Sequence, residues 1–204
     1  YQGISAEQKL FIPLGDDVEL WDVSLTNNSQ RVRHLSLFSY LEFSLHQVHL
    51  DNQDFQMGLY ASGSSFDGGI IDYDFFYTPG LHHFFTATFD PDGYDCVRDR
   101  FIGPYRCESR PLAVEQGQCS GSQSLGGNHC GALHKAFTLE PGQDLRCTFM
   151  LGVGSRENAG RHIRQKYSAP QAVDNGFAAL RHHWQEKLAA LQCDTPDAGM
   201  NSMV

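Results

Sequence analysis

Carboxylates are the side chains of this sequence that most readily suggest a chemistry, because two carboxyl groups flanking a glycosidic bond suffice to cleave it. Six of them lie on or near the ends of predicted strands: Glu42, Asp51, Asp54, Asp67, Asp72 and Asp74. Residues of this kind also form turns and protect edge strands from association. Because the sequence gives no distances between them, it allows sugar chemistry but selects no acid–base pair.

Cysteines and histidines could bind a metal, but their spacing argues against it. The six cysteines contain no CxxC pair, and the chain has no GxSxG, HExxH or P-loop motif. A zinc site would need four scattered residues to converge: Cys107, Cys119, His129 and Cys130. The adjacent pairs His82-His83 and His182-His183 cannot chelate together, because neighbouring side chains diverge in strands and lie ~100° apart in helices. We therefore predict no metal site, and free thiols that pack as small hydrophobic residues.

Residues 94–103 place arginine and aspartate beside aromatic rings, in the order YDCVRDRFIG. Aromatic faces stack on the apolar face of a sugar ring, while polar side chains bind its hydroxyl groups. The same residues could instead form an ion-pair network that holds a loop in place. Of the two interpretations we favour the structural one.

Alternation with a period of two predicts that strands position most of these groups. The predicted strands are Leu10–Leu14, Val18–Leu25, Arg33–His46, Phe55–Tyr60, Ile70–Tyr77, His82–Phe89, Leu133–Leu139 and Leu145–Gly152. Turn residues at 26–30 and at 140–143 predict hairpin connections. Because no helical pattern separates the strands, we expect an antiparallel sandwich rather than a parallel βαβ sheet.

Other regions depart from the strand pattern. Residues 90–128 are rich in Gly, Ser and Gln, and a segment this long is typical of a functional or interface loop. A helix is predicted over 156–167, and apolar residues that recur from Val173 to Leu191 predict an amphipathic helix capped by Ser168. Thr195-Pro196-Asp197 predicts the start of a further helix.

Length and composition limit the class of protein. The chain has 204 residues, of which 41% are hydrophobic, and a formal net charge of −9 at pH 7. This charge argues against nucleic-acid binding and against adhesion to anionic membranes, and the apolar runs are too short for a spanning helix. Tyr1 enters patterned sequence without a signal peptide, and Met200–Val204 stops just after a helix start. We therefore expect a cytoplasmic piece of a longer protein.

Several blocks of sequence together point to a known family. They are residues 3–7, 11–14, 18–27, 37–43, 99–103, 111–114, 119–122, 127–128 and 130–133, among them VELWDVSLTN and LFSYLEF. In order and spacing these blocks resemble the N-terminal sandwich of inverting β-glucan phosphorylases, which are the cellobiose, cellodextrin and chitobiose phosphorylases of glycoside hydrolase family 94. The blocks cover nearly the whole chain, which makes the resemblance specific.

The resemblance implies a mainly β fold. An antiparallel β-supersandwich with a galactose-mutarotase-like shape would occupy residues 1–154, and an α-helical linker residues 155–192. Residues 193–204 would begin a helical-barrel domain that the chain truncates. In such enzymes the sandwich supports the barrel, contributes to a homodimer and forms the acceptor-side rim of the active site.

The resemblance also implies a reaction. Inorganic phosphate, the co-substrate, attacks the anomeric carbon of a β-linked gluco-oligosaccharide and releases an α-sugar 1-phosphate with inversion. One carboxylic acid that protonates the leaving oxygen is then enough, and no cofactor is implied. The general acid and the phosphate site are expected beyond Val204, so we predict no catalytic residue within this chain and no activity of the fragment alone.

One departure from the family pattern concerns substrate choice. Cellobiose-type members carry an arginine, placed near the acceptor sugar, where this chain has Met57. Methionine cannot donate the hydrogen bonds of a guanidinium, so strict cellobiose specificity is not expected. We predict that Asp54 and Gln56 still edge the acceptor subsite.

Two alternative functions stay open. One is a free-standing carbohydrate-binding sandwich. The other is a mutarotase-like enzyme, which would need a histidine and a carboxylate converging on one concave sheet face.

Overall fold

The computed structural model describes residues 2–43, 60–76, 80, 82–156, 158–189 and 194–201. Its strands are β1 (Ile4–Phe11), β2 (Val18–Asn27), β3 (Arg33–Phe38), β4 (Leu41–Glu42), β5 (Ser62–Asp67), β6 (Ile70–Phe75), β7 (His82–Ala87), β8 (Gly93–Val97), β9 (Ser124–Leu125), β10 (His129–Leu139) and β11 (Asp144–Gly154). Its helices are α1 (Arg98–Phe101), α2 (Leu112–Gln116), α3 (Ala159–Lys166), α4 (Pro170–Ala189) and α5 (Ala198–Asn201).

These strands form two antiparallel sheets, as the alternating sequence predicts. The larger sheet has the order β1-β2-β11-β7-β6-β5-β9, and in the smaller sheet β3, β4 and β8 all pair with β10. Every pairing between these strands is antiparallel. The prediction of a mainly β, antiparallel supersandwich with C-terminal helices is thereby confirmed.

The central strands of the larger sheet are buried on both faces, which explains why they are apolar on both. On β7, Phe85 points into the core between the two sheets, where it stacks with Phe149 at 5.9 Å between ring centroids. Its neighbour Phe84 points the opposite way, into a second core that includes Ile163 of α3 and Val173 of α4. The domain therefore has three layers: the smaller sheet, the larger sheet and the helices.

Two predicted hairpin connections are wrong, because each crosses from one sheet to the other. Residues 28–32 lead from β2 in the larger sheet to β3 in the smaller one, and the Pro141-Gly142 turn leads from β10 back to β11. Turn residues specify a local reversal of the chain but not the sheet that the next strand joins. Buried Asn27 ties the two crossings together, since its side-chain amide donates to the carbonyls of Arg31, Leu139 and Glu140.

The first strand runs earlier than predicted. It spans Ile4–Phe11 instead of Leu10–Leu14, and the alternating apolar residues Leu10, Ile12 and Leu14 are 58%, 57% and 47% exposed. The buried residue is Phe11, which meets Phe177 of α4 in an edge-to-face contact at 5.1 Å. The alternation correctly placed Leu10 and Phe11 on opposite faces of the strand. Helix α4 covers the face of Phe11, so this face is the buried one.

The long strand predicted over Arg33–His46 is interrupted. It ends as β3 at Phe38 and resumes only as Leu41–Glu42, and the predicted residues 44–46 lie outside the described residues. At the break, buried Ser39 accepts a hydrogen bond from the Leu133 amide through its hydroxyl oxygen (3.0 Å), and its own amide donates to the Leu133 carbonyl (2.9 Å). A hydroxyl that bonds the neighbouring backbone in this way competes with the regular ladder. The predicted strand Phe55–Tyr60 lies outside the described residues except for Tyr60.

Residues 90–128 contain more regular structure than predicted. They hold β8, β9, α1 and α2. The two helices are four and five residues long, too short to produce a helical period in the sequence.

Helix α4 has the predicted amphipathic face but not the predicted cap. Val173 is buried, and Phe177 and Leu180 pack against the same cluster, whereas Trp184 and Leu188 are exposed. The Ser168 hydroxyl donates to the carbonyl of Gln165 (2.8 Å) and so bonds the end of α3, not the start of α4. No helix in the described part of the chain is both long and apolar enough to cross a membrane.

A bidentate ion pair fixes α4 to the larger sheet. Arg146 of β11 donates from Nε and Nη2 to the two carboxylate oxygens of buried Asp22, each at 2.8 Å. The same guanidinium binds Asp174 of α4 at 2.6 and 3.0 Å.

At the C-terminal end, the predicted start of a helix is confirmed, because Asp197 accepts a hydrogen bond from the Gly199 amide of α5 (2.8 Å).

Candidate functional site

The two predicted substrate-binding residues, Asp54 and Gln56, lie outside the described residues. The structure does describe the end of the smaller sheet from which the chain enters their segment, at Glu42 and Phe43. We call the neighbouring polar group the rim and define it as Tyr40, Glu42, Arg98, Glu108 and Tyr105. Among the described residues, the rim is the candidate for a contribution to a sugar site.

Arg98 is the centre of the rim. Its Nε donates to Glu42 (2.9 Å) and its Nη2 to Glu108 (2.6 Å). Tyr40 donates its hydroxyl to Glu42 and stacks on Phe101 at 5.0 Å. Burial and then the Glu42 carboxylate raise the pKa of Tyr40 far above its usual range, so its hydroxyl stays protonated and continues to donate. Arg98 therefore belongs to an ion-pair network that holds a loop, in agreement with the structural interpretation favoured for this segment.

A rigid loop projects from the rim at residues 103–110. The Arg106 amide donates to the Gly103 carbonyl (3.3 Å) in a turn whose third residue, Tyr105, has a φ of 60° and a fully exposed side chain. Glu115 of α2 accepts hydrogen bonds from Arg106 (2.6 Å) and from Arg110 (2.9 Å). These arginines lower the pKa of Glu115, which stays ionised. An open cleft of about 430 Å³ lies between Tyr105, Arg106, Cys107 and Arg110.

A buried carboxylate supports the next loop along the chain. Asp95 has no exposed surface and accepts four hydrogen bonds, from the amides and the hydroxyls of Ser120 and Ser122 at 2.5–3.1 Å. A charge this deeply buried is tolerated only when it is fully hydrogen-bonded. Residues 119–123 are thus held against β8 by the Asp95 carboxylate together with backbone hydrogen bonds from Cys96 to Ser122 (3.0 Å) and from Gly121 to Tyr94 (2.9 Å).

A serine–histidine pair lies buried where β5 and β10 approach each other. Ser64 Oγ and His129 Nδ1 are 2.6 Å apart, and the Ser64 hydroxyl is also 3.2 Å from the Cys96 carbonyl. His129 Nε2 is buried and has no hydrogen-bond partner. Burial lowers the pKa of His129 to about 4, so the imidazole is neutral near pH 7. The described residues provide no carboxylate to orient it as a base, and we assign the pair a structural role.

Acid is expected to weaken the domain through His129. Its folded pKa of about 4 lies below the ordinary 6.5, so the unfolded chain binds the extra proton between these pH values. Stability is therefore constant above pH 6.5 and falls by up to about 3 kcal/mol as the pH drops toward 4. Urea unfolding of the wild type and of His129→Asn at pH 7 and 5 compares the losses, and the variant should lose less, because His82, His83 and His134, whose pKa values burial also lowers, remain in both proteins. Equal losses in both proteins would contradict the assignment.

A histidine and a carboxylate also meet on the helix-covered face of the larger sheet, a pair that the sequence did not identify. His82 Nδ1 hydrogen-bonds Asp74, whose second oxygen lies 3.1 Å from Arg156. Burial, and then Arg156, lower the pKa of His82. Next to them a cleft of about 250 Å³ is lined in part by Asp72, whose pKa is raised by burial. A histidine and a carboxylate on one sheet face are what the mutarotase-like alternative requires, but here the Asp74 carboxylate is already bound to His82 and Arg156.

The cysteines that the structure describes are free thiols. Cys96, Cys130 and Cys147 are buried, and burial raises the pKa of Cys96 and of Cys147 to about 12. Cys107 is exposed, and hydrogen bonds with Ser109 lower its pKa. No group of three His, Cys, Asp or Glu side chains within the described ranges could hold a metal.

The sequence contained signals for some of these features but not for others. Gly103-Pro104 predicts a turn, and this signal could have drawn attention to Tyr105. Asp95 and His129 gave none, because their roles depend on partners 25 and 65 residues away along the chain.

Comparison with known proteins relates this chain to one family. Residues 1–170 match the family described as glycosyl hydrolase 94, supersandwich domain. Over its whole length the chain is 45% identical to an N,N'-diacetylchitobiose phosphorylase of Vibrio proteolyticus and 42% identical to one of Vibrio furnissii. A solabiose phosphorylase of Paenibacillus borealis is 28% identical over 98% of the chain. The chain spans 26% of the length of each of these relatives. With this match the resemblance noted in the sequence is confirmed: the chain belongs to the glycosyl hydrolase 94 supersandwich family.

Proposed function

We propose that this chain is the non-catalytic supersandwich of a phosphorylase that acts on N,N'-diacetylchitobiose or a closely related β-linked disaccharide. The observation that carries the proposal is the 45% identity, over the whole chain, to a protein named for that activity. Met57 adds support, since it replaces the arginine expected in cellobiose-type members. Cellobiose and cellodextrins are therefore proposed as poorer substrates.

The proposed reaction is phosphorolysis with inversion. A phosphate oxygen bonds to the anomeric carbon while the glycosidic C–O bond breaks on the opposite face, and the leaving oxygen takes a proton from a carboxylic acid. The products are an α-sugar 1-phosphate and the released acceptor sugar. Phosphate is the co-substrate, and the proposal needs no other cofactor.

We place the acid and the phosphate-binding groups outside these residues. The two buried carboxylates of the described residues support this division, because each is bound to other side chains: Asp22 to an arginine and Asp95 to two serines. The proposed roles of the chain are to brace a catalytic barrel, to contribute to a homodimer and to form the acceptor-side rim, with Asp54 and Gln56 at its edge. A cytoplasmic location and the division at residues 154 and 192 are part of the same proposal.

The test uses the longer natural polypeptide that contains these residues. It is incubated with phosphate and either N,N'-diacetylchitobiose, cellobiose or a cellodextrin, and sugar 1-phosphate is assayed. We expect rapid formation from N,N'-diacetylchitobiose, at least tenfold slower formation from the other sugars, and none when phosphate is left out. The 204-residue chain alone should be inactive. Activity of that chain would contradict the division of roles, and a preference for cellobiose would contradict the proposed substrate.

A further inference from the structure

Tyr105 occupies a backbone position that favours glycine. It is the third residue of the turn that begins at Gly103, and its φ of 60° lies in the left-handed region that glycine adopts most readily. A bulky residue in this conformation is disfavoured. The side chain is fully exposed, so no packing within the described chain offsets the strain. A strained residue without internal contacts suggests a contact outside the domain.

The loop that carries Tyr105 is rigid before any ligand arrives. Glu115 holds Arg106 and Arg110 on one side, and Arg98 holds Glu108 on the other. A binding group that is already fixed loses little conformational freedom on binding. The backbone that carries Tyr105 is thus held in place, and its ring lines the cleft.

The loop lies at the end of the sandwich where the acceptor site is proposed. Arg98 joins Glu108 of the loop to Glu42. Two residues after Glu42 the chain enters residues 44–59, which carry Asp54 and Gln56. The rim therefore connects Tyr105 directly to the start of the segment in which the acceptor-binding residues are predicted.

The chemistry of the cleft fits a sugar ring. A tyrosine face offers an apolar platform for the C–H face of a pyranose. Arg110 uses Nε and Nη2 on Glu115, while its Nη1 makes no hydrogen bond with the described residues and its side chain is 77% exposed. A free guanidinium N–H suits a hydroxyl or amide oxygen. The cleft volume of about 430 Å³ lies within the range of small-molecule sites.

From these observations we propose that Tyr105 and Arg110 form a subsite for the acceptor-side sugar of a β-linked saccharide, with the pyranose stacked on Tyr105 and a sugar oxygen bound to Arg110. The inference rests on the proposed phosphorylase function and adds two residues to the acceptor side of that site. Both act in binding, and neither takes part in the chemical step.

The test measures synthesis by the full-length protein from the sugar 1-phosphate and N-acetylglucosamine as acceptor. Tyr105→Gly should raise the KM for the acceptor about three- to tenfold, the loss expected for one stacking contact. The KM for the sugar 1-phosphate and kcat should not change. The melting temperature should not fall, because glycine suits this turn. Tyr105→Phe keeps the ring face and should stay within about twofold of the wild type.

Val32→Ser is the matched control. Val32 is also exposed and apolar, but it lies at the opposite end of the smaller sheet, beside Arg33, which pairs with Leu139 at the far end of β10. This variant should leave both KM values unchanged. An equal rise of the acceptor KM in Val32→Ser and in Tyr105→Gly would overturn the assignment.

Other outcomes would also overturn the subsite. One is an unchanged acceptor KM in Tyr105→Gly, and another is a Tyr105→Phe variant as impaired as Tyr105→Gly. If Tyr105→Gly instead turned a dimer into a monomer with the acceptor KM unchanged, the loop would contact a second copy and not a sugar. If the wild type released no sugar 1-phosphate, the proposed function would fail by itself, and calorimetric binding of N,N'-diacetylchitobiose to wild type and Tyr105→Gly would decide the subsite.

Discussion

Arg146→Met is expected to lower the free energy of unfolding by about 3–4 kcal/mol. The loss arises mainly at Asp22, which is 3% exposed and would keep only the Thr148 hydroxyl as a side-chain donor (3.3 Å). A buried charge whose ion-pair partner is removed is strongly destabilising, because its desolvation is no longer compensated. Urea unfolding of the 204-residue chain, followed by circular dichroism, measures the change.

The two carboxylates bound by Arg146 provide the control. Asp174→Asn also removes a partner of Arg146, but the Asp174 side chain is 48% exposed, so its ion pair is screened by water and the loss should be much smaller than in Arg146→Met. Adding Asp22→Asn to Arg146→Met should restore part of the stability, because the buried charge disappears. If Asp174→Asn cost as much as Arg146→Met, the attachment of α4 and not the buried charge would be the main contribution.

Asp95→Asn is expected to destabilise the chain by about 2–3 kcal/mol and to loosen residues 119–123. The substituted amide keeps the shape of the side chain but has one acceptor oxygen for four donors from Ser120 and Ser122. Buried donors that lose their acceptor cost about 1–3 kcal/mol each, and a new NH₂ group would face existing N–H groups. Urea unfolding gives the global loss, and faster amide exchange at Ser120 and Ser122 gives the local one.

Asp92→Asn is the matched substitution at an exposed aspartate. Asp92 accepts from Lys135 (2.6 Å) and from the Ala136 amide (2.9 Å), and its side chain is 43% exposed. Water can replace these partners, so the expected loss is below about 1 kcal/mol. Equal losses in the two variants would show that burial does not determine how much Asp95 contributes to the free energy of unfolding.

Much of the fold could be predicted from the sequence, because strands buried on one or both faces leave a clear pattern. The strands that contain Ile71 and Phe85 begin where they were predicted, the strand that contains Leu133 begins four residues earlier, at His129, and the spacing of Val173 and Phe177 predicted α4. The pairing of strands could not be predicted. Which sheet a strand joins depends on contacts distant in sequence, and the residues at both sheet crossings have the composition of ordinary hairpin turns.

The site was less predictable than the fold, since its geometry depends on long-range partners. The network between Glu42 and Arg98 joins residues 56 positions apart, and no local pattern indicates such a pair. Asp54 and Gln56 were selected only through the family resemblance, and their place at the acceptor subsite stays a prediction. Tyr105 was within reach of sequence reasoning, because Pro104 marks its turn, but its exposure was not.

The sheet order also bears on how the chain matures during translation. Strand β2 has β1 on one side and β11 on the other, and the second pairing joins residues 18–26 to residues 144–152. A ribosome that adds about 5–20 residues per second would need several seconds or more to travel from β2 to β11. Throughout that interval β2 lacks its permanent neighbour β11, which in the folded chain pairs with Leu20 and Trp21. Chaperone binding to β2 would protect the chain until the last strand emerges and closes the larger sheet.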